Sequence, residues 1–455
     1  MSTEVTERPE ETDGLRQTVR RVLALVALLP LTVILAVKAA QLGDQMLVNI
    51  YGIGVLGSTI LVMYLSFSNY RDPSVDAPDA TYFPLVTCLV AVKDDVAVIE
   101  RTVRSLLDQT YSRREVVVVD DYSTDGTREL LAELARTLPF DYLPLERNVG
   151  KKRALVAGAE RASGDILVFT DSDCVLELDA VERCVLAFGA HPGLGAVSGH
   201  NRALNADVNL LTRVQDVWYD GQFGIAKAAE SVFRSVTCVS GPLAAFRREA
   251  VWNYFPAWAG DRFLGAEFRF ATDRQLTGYV LGQRWIGRKL KRQHADSPFV
   301  RDVDYPEREW GVAYVRSARA WTNVPESFRS VLKQQIRWKK SFIRNMCFTG
   351  LFYWRRGPLP ALLFYSHATW VLLAPVMAFR HLVWLPLTGG LFITALYLCG
   401  VLLKGSVWAL GYRIQNRGDH RWVYRPLMSL LSATVLSWLL VYAALSLRRN
   451  VWSRG

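Results

Sequence analysis

Cysteine is scarce in this chain, and charge is low. The six cysteines among 455 residues form no CxxC pair, which excludes a disulfide or zinc framework and indicates free thiols in a reducing compartment. Only 21% of the residues are charged and 51% are apolar, which excludes a disordered chain. No GxGxxG or GxxxxGK[ST] fingerprint follows the first predicted strand, so neither a dinucleotide enzyme nor a P-loop ATPase is indicated.

The apolar residues are concentrated in long uncharged stretches. A helix needs about 20 apolar residues to cross the hydrocarbon core of a bilayer. Five stretches meet this condition, two near the N-terminus and three near the C-terminus, and a soluble core could not easily bury all of them. The sequence therefore predicts a multi-pass integral membrane protein. The predicted spans are residues 22–41, 46–67, 357–379, 382–403 and 426–447.

Basic residues beside the spans predict the orientation. Arginines lie just before the first span and Arg71 just after the second, so the positive-inside rule places residues 71–356 in the cytosol. The basic loop 404–425 should be cytosolic too. A full crossing by residues 426–447 would put the C-terminal arginines outside, so we favour a re-entrant or broken hairpin around Ser437. We expect the plasma (inner) membrane as the location.

Between the two groups of spans, β-branched apolar runs alternate with helical patterns. This order predicts an α/β domain with an open, doubly wound, mostly parallel sheet and helices on both faces. Ligands of such sheets bind beyond the carboxyl ends of the strands. The predicted strands are Leu85–Val92, Glu115–Asp120, Phe140–Leu145 and Asp165–Thr170, and the predicted helices are Val98–Gln109, Thr127–Thr137 and Lys151–Ala162.

Three pairs of carboxylates follow three of these strands. They are Asp94 and Asp95, Asp120 and Asp121, and Asp171 and Asp173. Carboxylates that converge on one edge of a sheet would repel one another, and a hydrated Mg²⁺ or Mn²⁺ bridging a diphosphate would relieve this repulsion. The Gly150–Arg153 segment precedes a predicted helix and offers backbone amides and positive charge to an anion.

The segments VDDYSTDGT (119–127), NVGKKRA (148–154) and TDSD (170–173) resemble those of inverting nucleotide-sugar glycosyltransferases of family 2, which have the GT-A fold. Further on, SGPL (240–243), TDRQL (272–276) and QQIRW (334–338) are similar to segments of the processive membrane synthases of cellulose, chitin and hyaluronan. Within that group the chain most resembles hyaluronan synthases, from about residue 84 to the end. Two segments depart from the pattern: a charged stretch at about 285–316, which looks like an insertion, and the terminal Trp452-Ser453-Arg454.

The resemblance implies roles for individual residues. Asp273 would be the general base, Asp173 with Asp171 would hold Mg²⁺ or Mn²⁺, and Trp338 would form a ring platform under the acceptor sugar. The residues implied in UDP-sugar binding are Asp94, Asp95, Asp120, Asp121, Lys151, Asp171 and Arg337. The residues implied in acceptor binding are Gly241, Pro242, Gln334 and Trp338. Glycine at 241 would let the backbone approach the acceptor closely.

The basic charge is best explained by the membrane. The net charge is +11, and basic residues crowd into 325–356, where their spacing with apolar residues suits amphipathic helices at the membrane interface. No nucleic-acid-binding motif accompanies them. We therefore expect four regions: 1–70 with a tail and two spans, a 71–324 GT-A domain, the 325–356 interface helices, and a 357–455 membrane region and tail.

The function predicted by the resemblance is polymerisation of UDP-GlcNAc and UDP-GlcA into a β-linked, hyaluronan-like polysaccharide that the enzyme passes across the membrane. The expected partners are UDP-sugars, the growing polysaccharide and membrane lipids, with neither nucleic acid nor an obligatory protein partner. The alternative is a chitin or oligochitin synthase that uses UDP-GlcNAc alone. A non-processive lipid glycosyltransferase and a non-catalytic transporter are disfavoured by the QxxRW segment and by Asp173 and Asp273.

Overall fold

The computed structural model describes residues 46–449 except 77, 80 and 271, so the predicted span 22–41 and the terminal Trp452-Ser453-Arg454 lie outside the described residues. The strands are β1 Val86–Val92, β2 Arg114–Asp120, β3 Asp141–Pro144, β4 Ile166–Asp171, β5 Cys174–Leu176, β6 Leu194–Ala203, β7 Ala244–Arg247, β8 Arg262–Phe263, β9 Ala266–Glu267 and β10 Gly311–Thr322.

The α-helices are α1 Met46–Tyr64, α2 Ile99–Leu107, α3 Thr127–Thr137, α4 Lys151–Arg161, α5 Ala180–Ala190, α6 Leu210–Gly221, α7 Ala228–Ser231, α8 Arg248–Val251, α9 Phe255–Ala259, α10 Thr272–Gln293, α11 Pro298–Arg301, α12 Phe328–Thr349, α13 Pro358–Phe379, α14 Leu385–Leu387, α15 Leu391–Gln415, α16 Arg425–Leu431 and α17 Leu439–Leu445. Each of the seven elements predicted between residues 85 and 170 is present, with ends that differ by no more than two residues.

Eight strands form one mixed sheet in the order β3-β2-β1-β4-β7-β6-β10-β5. Strands β1 to β4 are parallel, β7 runs antiparallel to β4 and β6, and β10 is parallel to β6. Both faces are covered: Leu89 and Val117 pack against α4, whereas Val90 and Val118 pack against α2. This two-sided burial explains the continuous apolar runs of the central strands and confirms the predicted doubly wound, mostly parallel sheet.

The charged stretch at 285–316 is built into regular elements of this fold, and its interpretation as an insertion relative to the family stays a prediction. Its first part completes α10 and its last part begins β10, which pairs with β6 inside the main sheet. Trp310, just before this strand, is almost fully buried and donates its indole N–H to the Gln283 side chain at 2.8 Å. Most of the charged residues in this stretch are exposed, but Lys291 is buried and forms ion pairs with Asp304 and Glu307.

Three described helices are long and apolar enough to cross a membrane, and a bent pair of helices would make a fourth. The boundary predicted between the spans at 380 is wrong, because the chain stays helical from Pro358 to Leu387 and reverses only at Gly389, which has a φ of +86°. The next helix is therefore Leu391–Gln415 instead of 382–403, and Lys404 lies inside it instead of in a loop.

The last membrane segment is broken where the sequence predicted a break. Helix His420–Leu436 and helix Leu439–Leu445 are joined at Ser437 with a bend of 45°. The chain is deflected there and does not double back within these two helices. Whether this segment crosses the bilayer stays a prediction.

A buried ion-pair cluster joins the sheet domain to the helix that carries the QxxRW segment. Asp261 is 6% exposed and accepts from Lys152 of α4 at 3.2 Å and from Arg344 of α12 at 2.5 Å. Lys152 also donates to the Gln275 side chain of α10 at 2.6 Å. One carboxylate therefore holds three helices, and burial is offset because every charge in the cluster has a partner.

We expect Asp261→Asn to destabilise the protein by about 3–5 kcal/mol, because it leaves two buried cations without a carboxylate. Asp141→Asn is the matched control, since Asp141 pairs with Arg161 at the surface and exposed pairs contribute about 0–1 kcal/mol. The measurement is thermal unfolding of both variants in detergent. Equal shifts in Tm for the two variants would show that the cluster does not stabilise the fold.

Candidate active site

The three acidic strand ends lie side by side at one edge of the sheet. Strand β1 pairs in parallel with both neighbours, with Val92 opposite Asp120 and Ala91 opposite Asp171. The carboxyl ends of three adjacent strands therefore meet, as the sequence predicted. They border a cavity of about 2170 Å³ that extends to the apolar helices.

Most of the predicted site residues line this cavity. Those that do are Asp121, Lys151, Asp171, Asp173, Gly241, Pro242, Asp273, Gln334, Arg337 and Trp338. The other three carboxylates, Asp94, Asp95 and Asp120, are not part of its wall. They hold the strand-end loops: Asp120 is fully buried and accepts from the Ser123 amide at 3.0 Å, Asp94 accepts from the Thr124 amide at 2.7 Å, and Asp95 accepts from the Ser172 hydroxyl.

Asp121 fixes the glycine-lysine loop against the sheet edge. Its carboxylate accepts from the backbone N–H of Val149 at 2.7 Å and of Gly150 at 2.9 Å, while burial raises the pKa of this carboxyl. Gly150 has a φ of +88°, a conformation that favours glycine and turns the chain directly into α4. Lys151 follows at the helix start, and its amine contacts the Asp171 carboxylate.

Asp171 and Asp173 form a candidate site for a divalent cation. Their carboxylate oxygens and the Cys174 sulfur lie within 4.8 Å of one another. Burial raises the pKa of the Cys174 thiol well above its usual range, so the charged ligands on offer in this structure are the carboxylate oxygens of Asp171 and Asp173. Oxygen ligands suit Mg²⁺ and Mn²⁺. The contact between Lys151 and Asp171 shows that positive charge already stabilises this position.

The Ser240-Gly241-Pro242 loop lies directly against this acidic pair. A Cβ atom built on Gly241 would be 2.8 Å from Asp171 Oδ2, closer than real side chains approach. The residue is therefore glycine because the loop backbone contacts a carboxylate of the candidate metal site. Close approach was predicted for Gly241, but toward the acceptor; the contact found here is with Asp171.

Asp273 lies in the first turn of α10 and lines the cavity. The backbone N–H of Arg274 donates to its Oδ1 at 2.9 Å, and the Cys238 thiol donates to its Oδ2 at 3.3 Å. Among the described residues, Arg274 forms no ion pair with it within 4.0 Å. The carboxylate is therefore held by two donors while it faces the cavity, a geometry suited to accepting a proton.

Aromatic rings gather around the QxxRW segment. Trp338 is 36% exposed, and its ring lies 5.5 Å from that of Trp218 and 6.0 Å from that of Tyr219. The Gln334 side chain lines the same cavity as Tyr219. Trp218 and Tyr219 were not predicted as site residues from the sequence. Lys227 was not predicted either; it lies between the apolar residues of FGIAKAA and lines the same cavity.

The mixed sheet, its acidic edge and the loop packed against that edge are the features of the GT-A fold. Residues 87–255 match the profile of Glycosyl transferase family 2, so the chain carries a glycosyltransferase family 2 domain. The solved mannosyltransferase PcManGT from Pyrobaculum calidifontis, in complex with GDP-Man and Mn²⁺, has this fold. It aligns with a TM-score of 0.52 and 22% identity over 88% of this chain and 96% of its own.

Two groups of relatives share a longer region. The hyaluronan synthase of Streptococcus pyogenes is 30% identical over 307 residues, which are 66% of this chain. The chain spans 65% of the length of that relative. An N-acetylglucosaminyltransferase of Azorhizobium caulinodans is 28% identical over 339 residues, which cover 74% of this chain and 78% of the relative.

We expect Gly241→Ala to weaken Mn²⁺-dependent UDP binding by about 10- to 100-fold, because the added methyl group displaces a carboxylate of the candidate metal site. Gly193→Ala is the control, since a Cβ there meets nothing within 4 Å. Calorimetric titration of UDP with and without Mn²⁺ measures the effect. Identical UDP affinities in the two variants would contradict the assignment.

Proposed function

We propose that the protein is a processive, inverting membrane glycosyltransferase that polymerises UDP-GlcNAc and UDP-GlcA into a β-linked, hyaluronan-like polysaccharide and passes it across the membrane. The observation that carries this proposal is the continuity of the cavity. It begins at Asp121 and Asp171, passes Asp273 and Trp338, and continues between the apolar helices as far as Trp370. Donor, acceptor and exit path could therefore occupy one space.

In this proposal Asp273 accepts the proton of the acceptor hydroxyl as that oxygen attacks the anomeric carbon of the donor. The bond to the UDP oxygen breaks on the opposite face, so the configuration inverts. Lys151 and Arg337 neutralise the leaving diphosphate, and an arginine fork suits its oxygens. Asp171 and Asp173 would hold Mg²⁺ or Mn²⁺, which supplies Lewis-acid stabilisation of the diphosphate. Trp338 supports the acceptor ring beside Trp218.

The charge of the cavity wall favours a polymer that carries carboxylates. Residues 327–418 contain no Asp or Glu. Lys339, Lys404 and Arg425 line the cavity, and among the described residues no carboxylate lies within 4.0 Å of them. Arg425 is 7% exposed, and its Nε has no hydrogen-bond partner there. Cations removed from water are costly without a counter-charge, and the uronate groups of a passing chain would supply it.

The second candidate is a chitin or oligochitin synthase that uses UDP-GlcNAc alone. The similarity to an N-acetylglucosaminyltransferase favours it, because that relative aligns over more of this chain than the hyaluronan synthase does. It would share the same base, cation site and aromatic platform. It would leave the basic wall around Arg425 without a counter-charge, so we place it second.

The remaining assignments form part of the same proposal. The plasma (inner) membrane would hold the apolar helices, and residues 71–324 would form the cytosolic GT-A domain. The 325–356 region would lie at the membrane interface. In its helix α12, Trp338 near the middle lines the cavity, and Phe328, the first residue, is 47% exposed. No obligatory protein partner is invoked.

The first test is UDP release by the purified protein in detergent with Mg²⁺ or Mn²⁺, supplied with UDP-GlcNAc, UDP-GlcA, or both. We expect sustained release only with both donors, because each is needed for alternate additions. The product should be a polymer that hyaluronidase digests. A chitinase-sensitive polymer from UDP-GlcNAc alone would move the assignment to the second candidate, and no release under any condition would contradict both.

We expect Asp273→Asn to reduce transfer by about 10²- to 10⁴-fold, because the amide cannot accept the proton. UDP binding should be unchanged, since Lys151 and the acidic pair are untouched. Transfer and UDP affinity are measured on the same preparation. Arg262→Gln serves as the control, because the Arg262 side chain is exposed and donates to the Gly265 carbonyl, away from the carboxylate of Asp273. Transfer near the wild-type rate in Asp273→Asn would refute the base assignment.

A further inference from the structure

Lys227 is a buried cation that the proposed reaction does not use. It ends the π-helical turn Gln222–Lys227, is 9% exposed and lines the cavity. Its amine donates to Ser198 Oγ at 2.9 Å and to Ser240 Oγ at 2.5 Å, and it lies 4.1 Å from the centroid of the Phe223 ring. Among the described residues, no carboxylate lies within 4.0 Å of it. A buried ammonium without a direct counter-ion is costly, which calls for a function.

The contacts of Lys227 lead to Asp273. Ser240 accepts from the ammonium, so its own proton is free to point elsewhere, and Cys238 Sγ lies 3.9 Å from its hydroxyl oxygen. Cys238 in turn donates to Asp273 Oδ2 at 3.3 Å. Burial raises the pKa of the Cys238 thiol to about 12, so the thiol keeps its proton and acts as a donor. Two side chains thus connect the cation to the carboxylate.

We propose that Lys227 is a positioning residue for Asp273: through Ser240 and Cys238 it fixes the orientation of the carboxylate and places a positive charge two side chains away from it. The inference rests on the proposed function, since it takes Asp273 as the base of that reaction. Lys227 itself touches neither donor nor acceptor in this role.

Other charged groups around Lys227 are engaged elsewhere. Glu230 accepts from the Thr237 backbone N–H at 2.9 Å and from its hydroxyl at 3.0 Å. On the strands packed against this turn, His200 lies 3.4 Å from Asp220 of α6, and Arg316 donates to the Gly224 carbonyl at 2.8 Å. The remaining ionisable groups nearby are Tyr314 of β10, which bonds to His200, and Arg274 of α10. Asp273 is therefore the carboxylate that the Lys227 ammonium can position.

The surroundings also set the pH range in which this charge is present. Burial lowers the pKa of Lys227 to about 8, although the nearby Cys238, Asp273 and Glu230 oppose this effect. A lowered lysine pKa means that the ammonium is present below about pH 8 and is lost as the pH rises through that value. Transfer by the wild-type protein should then decline above about pH 8, while UDP binding should not.

The test compares Lys227→Met and Lys227→Arg with wild type in kcat, KM and UDP affinity from pH 6.5 to 9.5. We expect Lys227→Met to lower kcat about 10- to 100-fold, the cost of a misplaced catalytic group, with little change in KM for the donor. Lys227→Arg should retain most of the rate and lose the decline above pH 8, because arginine stays charged. Lys289→Met, at an exposed position of α10, is the control for removal of a lysine.

Two results would overturn the proposal: a wild-type rate in Lys227→Met, or a decline above pH 8 that persists in both variants. If Lys227→Met does not fold, a comparison of Cys238→Ala with Cys238→Ser tests the proposal instead. The serine variant keeps a donor to Asp273 and should exceed the alanine variant in kcat, whereas equal rates would contradict the proposed link from Lys227 to Asp273. Activity of Asp273→Asn would refute the proposed base, whereas an inactive Asp273→Asn with an unaffected Lys227→Met refutes this inference alone.

Discussion

The buried carboxylate of Asp261 accepts from Lys152 and Arg344, and the candidate site depends on this contact because its partners lie next to the residues that line the cavity. Lys152 follows Lys151, whose amine reaches the acidic edge. Arg344 is two turns along α12 from Arg337, and Asp261 begins the loop that leads to α10 and Asp273. A single charge cluster therefore sets the distance between the parts of the cavity wall that carry Lys151, Arg337 and Asp273, which β-sheet pairing alone could not do.

A second ion-pair cluster performs the same task toward the membrane helices. Arg202 of β6 donates to Asp216 of α6 at 2.7 Å and to the Tyr412 hydroxyl of α15 at 3.0 Å, and Arg421 also reaches Asp216, at 3.1 Å. Asp216 is fully buried, and a buried network of paired charges makes the arrangement of its members rigid. These contacts fix the position of the apolar helices relative to the sheet domain, and the cavity continues across the boundary between them.

The sequence was informative where one physical rule dominates. Buried parallel strands need continuous apolar runs, so β1, β2 and β4 and the acidic residues after them could be placed at one edge. Strand β6 was not predicted, because His200 and Arg202 interrupt its apolar pattern; their polar groups are satisfied by contacts with Asp220 and Asp216 of α6 and with Tyr314 and Tyr412. The predicted boundary between the spans 357–379 and 382–403 was wrong because Arg380 interrupts the uncharged run, whereas the helix continues through this residue to Leu387.

Two cations that line the cavity, Lys227 and Arg425, could not be assigned from the sequence, because their proposed roles depend on the absence of a nearby carboxylate. Lys227 and Arg425 each line the cavity without a carboxylate within 4.0 Å among the described residues, and no spacing or composition rule reveals a missing counter-charge. Their settings differ in an informative way. Lys227 is tied by hydrogen bonds to the loop beside Asp273, so its charge acts on a fixed group of the protein. Arg425 packs over Trp408, with its centre 5.2 Å from the ring, and has Ser429 as its hydrogen-bond partner. A cation above an indole ring at the wall of a passage can meet a carboxylate that moves past without holding it in place, which is the condition that transport of an anionic polymer imposes.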